Sequence, residues 1–145
     1  MAAIVALLHL AAAQQMNTNN CTWFTIEQPL SHMQRGNAGV FQQRFCWFSG
    51  YWKTDTASPV FLYTGNESPV EEYVNNTGLL WNLAKKFNAL VIFAEHRYFG
   101  LSVPYLNGTD NCIQYLTSEE ALADYASLCN RLRRKWGARD RYGMA

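Results

Sequence analysis

The chain has 145 residues, 49% hydrophobic and 14% aromatic, with a formal net charge of +1. That length suits one globular domain or part of a larger one, and the apolar content excludes a disordered chain. The near-neutral balance excludes a general polyanion-binding surface, so nucleic acid is not an expected partner.

Residues 1–13, MAAIVALLHLAAA, form an apolar run that ends in small side chains. They read as a secretory signal peptide cleaved near Ala13, too short to span a bilayer, so no membrane anchor is expected. No Lys or Arg precedes the run and His9 interrupts it, which leaves an apolar helix fragment as the alternative. The N-x-S/T sequons at Asn20, Asn66, Asn75 and Asn107 agree with export, with Asn20, Asn75 and Asn107 as the glycosylation candidates. Cys21, Cys46, Cys112 and Cys129 fit an oxidising compartment and leave all three pairings open. There is no C-x-x-C, and His9, His32 and His96 lack ligand spacing, so neither a metal nor another cofactor is expected.

After the leader, Trp23 to Gln28 alternates apolar and polar side chains, as a half-buried strand does. Phe41 to Trp52 is an aromatic-rich second strand with Phe41, Phe45 and Trp47 on one face. Gly36, Asn37 and Gly39 supply a turn between them, so the pair is expected as an antiparallel hairpin at a sheet edge. Trp47, Trp52 and Trp81 are expected in the core.

The period then changes. Val60 to Tyr63 is a short apolar run, Leu79, Leu80, Leu83, Ala84 and Phe87 recur at helical spacing, and Leu90 to Ala94 (LVIFA) is unbroken. An unbroken run suits a parallel strand covered on both faces, and strand, helix, strand at this spacing predicts a right-handed βαβ unit. Arg97 to Leu116 reads as a long irregular stretch of the kind that is functional or disordered. Thr117 and Glu120 then predict a capping box, and Leu122, Tyr125, Cys129, Leu132 and Trp136 an apolar stripe on a second helix that stops at Gly137. Its basic end, Arg131 to Lys135, suits the helix dipole. The short charged segment from Ala138 supplies no buried strand for that helix to cover. The expectation is a truncated sheet, with LVIFA beside an open position through which the chain would aggregate or form a homodimer.

Three segments carry a family resemblance: PVFLYTGNES from Pro59, FAEHRYFG from Phe93 and LTSEEALADYA from Leu116. Together they resemble the lysosomal Pro-Xaa carboxypeptidase family, which includes dipeptidyl peptidase II and the thymus-specific serine protease. The resemblance spans about residues 24–140 and implies an α/β-hydrolase fold, here its N-terminal part over residues 21–140 with a short tail at 141–145. It also implies a secreted or lysosomal serine exopeptidase acting on peptides with proline near a terminus. The loop after the third strand of that fold helps form the oxyanion hole. The resemblance therefore points to Gly65, Asn66 and Glu67 as the oxyanion and substrate loop, with Glu67 holding the loop or meeting a substrate amine. A plain strand-to-helix turn is the alternative.

The sequence departs from the family at the nucleophile. No G-x-S-x-G occurs among its residues, so no catalytic triad member is expected within it, and the chain is expected to be inactive alone. His96 precedes the place of the nucleophile, contrary to the Ser, Asp, His order of the fold, and is expected to tie down the following loop. Ser118 and Asp124 are expected as ordinary helix members, Asp124 opposite much of the apolar stripe. A non-catalytic secreted short form or degenerate copy that binds a partner is the competing reading.

Overall fold

The computed structural model describes residues 16–36, 38–53, 58–104 and 113–136. The expected leader, the sequon at Asn107, Cys112, the stop at Gly137 and the tail lie outside the described residues.

Four strands form one mixed sheet in the order β1-β2-β4-β3. Strand β1 (Thr22–Pro29) pairs antiparallel with β2 (Val40–Phe48), which pairs antiparallel with β4 (Leu90–Ala94). Strand β3 (Val60–Thr64) pairs parallel with β4, so their carboxyl ends lie side by side. The β1–β2 turn uses Gly36 and Gly39 at φ 110° and 101°, a region that L side chains rarely adopt. This is an α/β arrangement, and the expected hairpin, its edge position and the β3-to-β4 crossover are all present.

The crossover contains two helices where the sequence suggested one. Helix α1 (Val70–Asn76) ends at Thr77, whose N–H and Oγ1 both bond the Tyr73 carbonyl at 3.0 and 2.6 Å. Helix α2 (Gly78–Phe87) starts immediately after and buries Trp81 and Ala84. Leu79 and Phe87, expected on its apolar face, are exposed. Trp81 sets that face, with Nε1 donating 2.9 Å to the Val74 carbonyl.

Helix α3 (Ser118–Lys135) covers one face of the sheet and α1 and α2 the other. Leu90, Ile92 and Ala94 of β4 pack with α3, and Val91 and Phe93 pack with α1 and α2. Burial on both faces is why LVIFA carries no alternation. The expected open position beside LVIFA is a correction: β4 is hydrogen-bonded on both sides, by β2 and β3, because β2 doubles as a central strand. Among the described residues the unpaired edges belong to β1 and β3. Trp81 is buried, and Trp47 and Trp52 pack half-buried against the α3-side core, as expected of core residues.

The stripe of α3 also differs from expectation. Leu122 is 64% exposed, while Ala121, Asp124, Tyr125, Leu128 and Leu132 are buried. The helix is rotated so that Asp124, expected away from the core, points into it. The Arg97 guanidinium waits there and explains the rotation.

Candidate functional site

The parallel strands β3 and β4 end together, and open α/β sheets take their ligands beyond the carboxyl ends of such strands. The loop Gly65-Asn66-Glu67 leaves β3 at this point. Gly65 continues the ladder, its N–H donating 2.7 Å to the Ala94 carbonyl. A Cβ at Gly65 would meet the Ala94 oxygen at 2.6 Å and the His96 nitrogen at 2.8 Å, both backbone atoms. The glycine is therefore required by close approach, and its φ is not in the left-handed region. Its carbonyl accepts a 3.1 Å bond from the buried Tyr125 hydroxyl.

Beyond Gly65 the loop opens to solvent. Asn66 and Glu67 are exposed, and the Ser68 N–H donates 2.8 Å to the Asn66 carbonyl, closing a tight turn into α1. The Gly65 amide is committed to the sheet. The amides of Asn66 and Glu67 make no hydrogen bond to a described residue and are the loop's available donors.

Two polar clusters lie at the end of β4, one on each face of the sheet. In the first, Glu95 is wholly buried at the end of β4. It accepts from Arg44 Nη2 at 2.6 Å, the Leu101 N–H at 3.0 Å, Ser102 Oγ at 2.7 Å and the Val70 N–H at 3.2 Å. The last is an orphan donor at the start of α1, so Glu95 serves as its cap from a distance in sequence. Arg44 also forks onto Glu71. Burial alone would raise the Glu71 carboxyl, but the hydrogen bond and charge of Arg44 outweigh it and hold the group below its ordinary range.

The second cluster centres on Arg97, which is fully buried. Its Nε and Nη2 grip Asp124 at 2.7 and 2.8 Å, and Nη1 donates to the Leu30 and Tyr115 carbonyls at 2.9 and 3.0 Å. His32 Nε2 lies 2.8 Å from Asp124. Glu120 accepts from the His32 N–H at 2.6 Å and from Ser31 Oγ. The expected capping box is thus half present: Thr117 accepts from the Glu120 N–H at 3.3 Å, but the Glu120 carboxylate turns to the β1–β2 turn. Burial pushes that carboxyl up, and the donors from His32 and Ser31 together with the Arg97 charge bring it below its ordinary value.

His96 sits between Glu95 and Arg97 with Nδ1 2.7 Å from the Arg97 carbonyl and its ring against Phe99 and Tyr125. It holds the turn that follows β4. Ser118 is an exposed residue in the first turn of α3. Tyr98, at φ 71°, donates its N–H 2.9 Å to the Ser102 carbonyl. The sequence reasoning missed Tyr125 as a support of the loop, and Arg44, Glu95, Arg97 and Glu120 as the buried polar groups near it. The signal was available in Glu95 and Arg97, two charges placed directly after a wholly apolar strand.

Of the sequons, Asn66 and Asn75 are exposed. Asn75 Oδ1 accepts from the Thr18 N–H and Asn20 Oδ1 from the Asn17 N–H. Among the described residues, no group of three His, Cys, Asp or Glu side chains is placed to hold a metal, and no helix is long and apolar enough to cross a membrane.

The sequence pattern of the serine carboxypeptidase S28 peptidases matches residues 28–141. The chain belongs to this family. It is 40% identical over 126 residues to the lysosomal Pro-X carboxypeptidase of Bos taurus, covering 83% of this chain and 25% of that protein. The lysosomal Pro-X carboxypeptidase of Homo sapiens is 39% identical over 111 residues, 74% of this chain and 22% of that protein. The prolyl carboxy peptidase like protein 5 of Caenorhabditis elegans is 44% identical over 75 residues, 50% of this chain and 15% of that protein. The chain spans a quarter or less of the length of these S28 relatives. The S28 match takes in the Gly65 loop, both polar clusters and all of α3.

Proposed function

We propose that these residues form the first part of an α/β-hydrolase-type serine exopeptidase that cleaves peptides next to proline, as a carboxypeptidase or a dipeptidyl peptidase. The Gly65 loop carries this reading. It stands at the carboxyl ends of two parallel strands, fixed by Ala94 and Tyr125, with the Asn66 and Glu67 amides making no hydrogen bond to a described residue. Those amides are the oxyanion donors, and the exposed Glu67 carboxylate meets the substrate. Preorganised backbone donors of this kind stabilise the charge that develops on an attacked carbonyl.

The nucleophile and its base are supplied by sequence other than these 145 residues, which contain no G-x-S-x-G. The residues alone therefore do not hydrolyse peptides. The protein works in the secretory pathway, in a lysosomal or extracellular compartment, as the names of its relatives suggest. Labelling with a fluorophosphonate, which reports an activated serine, tests the reading alongside hydrolysis of Pro-Xaa and Xaa-Pro-amide substrates. The 145-residue chain gives neither signal, and a longer chain with the elbow and triad gives both. A longer reading frame without an elbow would favour a non-catalytic binding protein.

A further inference from the structure

Cys21 and Cys46 come together on one face of the sheet. The β1–β2 register sets Thr22 opposite Trp47 and Trp23 opposite Cys46. Cys21, one residue before β1, is therefore the diagonal neighbour of Cys46. Side chains two apart share a face, and both cysteines pack into the core under α1 and α2 with Trp23 and Phe48. Cys46 is fully buried and Cys21 partly so, and both are free thiols here. Cys129 is on α3, beside Val60, Ile92 and Trp136 on the opposite face. The sheet separates it from Cys46.

We propose that Cys21 and Cys46 are a disulfide site that staples the edge strand β1 to β2 when the protein matures in an oxidising compartment. Diagonal ladder neighbours stand roughly 7–8 Å apart at Cα, just beyond the upper end of bridged pairs. Cys21 lies outside the ladder, where its N–H donates 3.2 Å to the Thr18 carbonyl at the end of the turn Thr18–Asn20, and a shift of that short turn together with Cys21 closes the gap.

The co-reactant is an external disulfide such as glutathione disulfide. Cys21 is the accessible partner, and its thiolate attacks one sulfur of the donor, forming a mixed disulfide and expelling the first donor thiol. Cys46 then loses its proton and attacks Cys21 Sγ, expelling the second. Two protein thiols are oxidised, the donor disulfide is reduced to two thiols, and the two S–H protons end on the donor sulfurs. Contact with the Cys21 thiol, and burial after it, raise the Cys46 thiol far above its ordinary range.

Disulfide mapping of the full chain secreted from eukaryotic cells tests the site. The protein is quenched in denaturant with iodoacetamide and no reductant, deglycosylated, digested and examined by mass spectrometry. The expected result is a peptide holding Cys21 joined to one holding Cys46, separated by reduction. Alkylation of both cysteines, or a bridge from either to Cys112 or Cys129, would overturn the proposal. If secretion fails, the same chain refolded in a glutathione redox buffer is mapped with the same outcomes. In Cys21→Ser, Cys46 stays a free thiol that alkylates only after unfolding. Its recovery in a bridge to another cysteine would count equally against the site.

Discussion

The Tyr125 hydroxyl donates a 3.1 Å hydrogen bond to the Gly65 carbonyl, joining α3 to the loop after β3 across 60 residues of sequence. Burial first, and the Asp124 charge second, raise the ionisation of this phenol, so it remains a donor at neutral pH and above. Tyr125→Phe leaves the Gly65 carbonyl buried without its partner, at a cost of about 1–3 kcal/mol in a urea unfolding curve. The folded state holds the Tyr125 proton more tightly than the unfolded state. Its contribution is complete below the ordinary tyrosine value of about 10 and is lost as pH rises above it. The phenylalanine variant should therefore lose less stability above pH ~10 than the parent.

At Gly65 the limiting factor is space. An added Cβ meets the backbone of Ala94 and His96, and neither atom belongs to a flexible side chain that can swing aside. Gly65→Ala should cost about 1–3 kcal/mol through overpacking, and Gly65→Val more. Thermal unfolding reads this directly. Normal unfolding of Gly65→Ala would mean that β3 and β4 do not approach as closely as they do here.

Arg97 should tolerate no substitution. It neutralises Asp124 and donates to the carbonyls of Leu30 and Tyr115, so it ties β4, α3 and the β1–β2 turn together. Removing one partner of a buried ion pair costs about 3–5 kcal/mol, a large part of the 5–15 kcal/mol that holds a typical domain. Lysine keeps the charge but cannot fork onto a carboxylate and reach carbonyls at the same time. Both Arg97→Met and Arg97→Lys should appear in the insoluble fraction or lose their cooperative unfolding transition.

The polar interior is also the part of the fold that was least legible in sequence. Hydrophobic periodicity gave the strands and their approximate ends, because Leu90 to Ala94 and Trp23 to Gln28 obey simple burial rules. It failed on α3, where Leu122 looked like core and Asp124 like surface. Apolar patterning assumes that the buried face is the greasy one, and a buried Arg97 reverses that at one turn of the helix. The loop after β3 was placed by resemblance, but the reason for its glycine was visible only once two strands lay side by side. Glu120 shows the same limit. Its spacing from Thr117 fits a local cap, and nothing local reveals that residues 31–33, some 88 positions away, compete for its oxygens.

Acid should loosen the molecule through its low-titrating carboxylates. Glu71 and Glu120 both hold their protons less tightly when folded. Their contribution is therefore present above the ordinary carboxylate range and is lost as pH falls through and below it. Glu120→Gln keeps one acceptor oxygen but loses the charge facing Arg97. It should lower stability at neutral pH and flatten the fall on the acid side. A parent and variant with parallel pH-stability curves below pH ~5 would show that Glu120 titrates alike in both states.

The oxyanion assignment is tested by removing one N–H at a time. Asn66→Pro and Glu67→Pro each delete a backbone donor, and neither residue has a left-handed φ that proline cannot adopt. Gly65 is a poor target because its own amide already serves the Ala94 carbonyl. In a chain with the complete triad, loss of the donor that faces the oxyanion should lower kcat about 100- to 1000-fold with little change in KM. The proline variant at the other position, and Asn66→Ala with its amide retained, should stay near parental rates and thermal stability. Equal kcat in both proline variants and the parent would remove this loop from the oxyanion hole. A glycan mapped to Asn66 in active enzyme would do the same, since a branched sugar at that side chain would fill the space in front of the Asn66 and Glu67 amides.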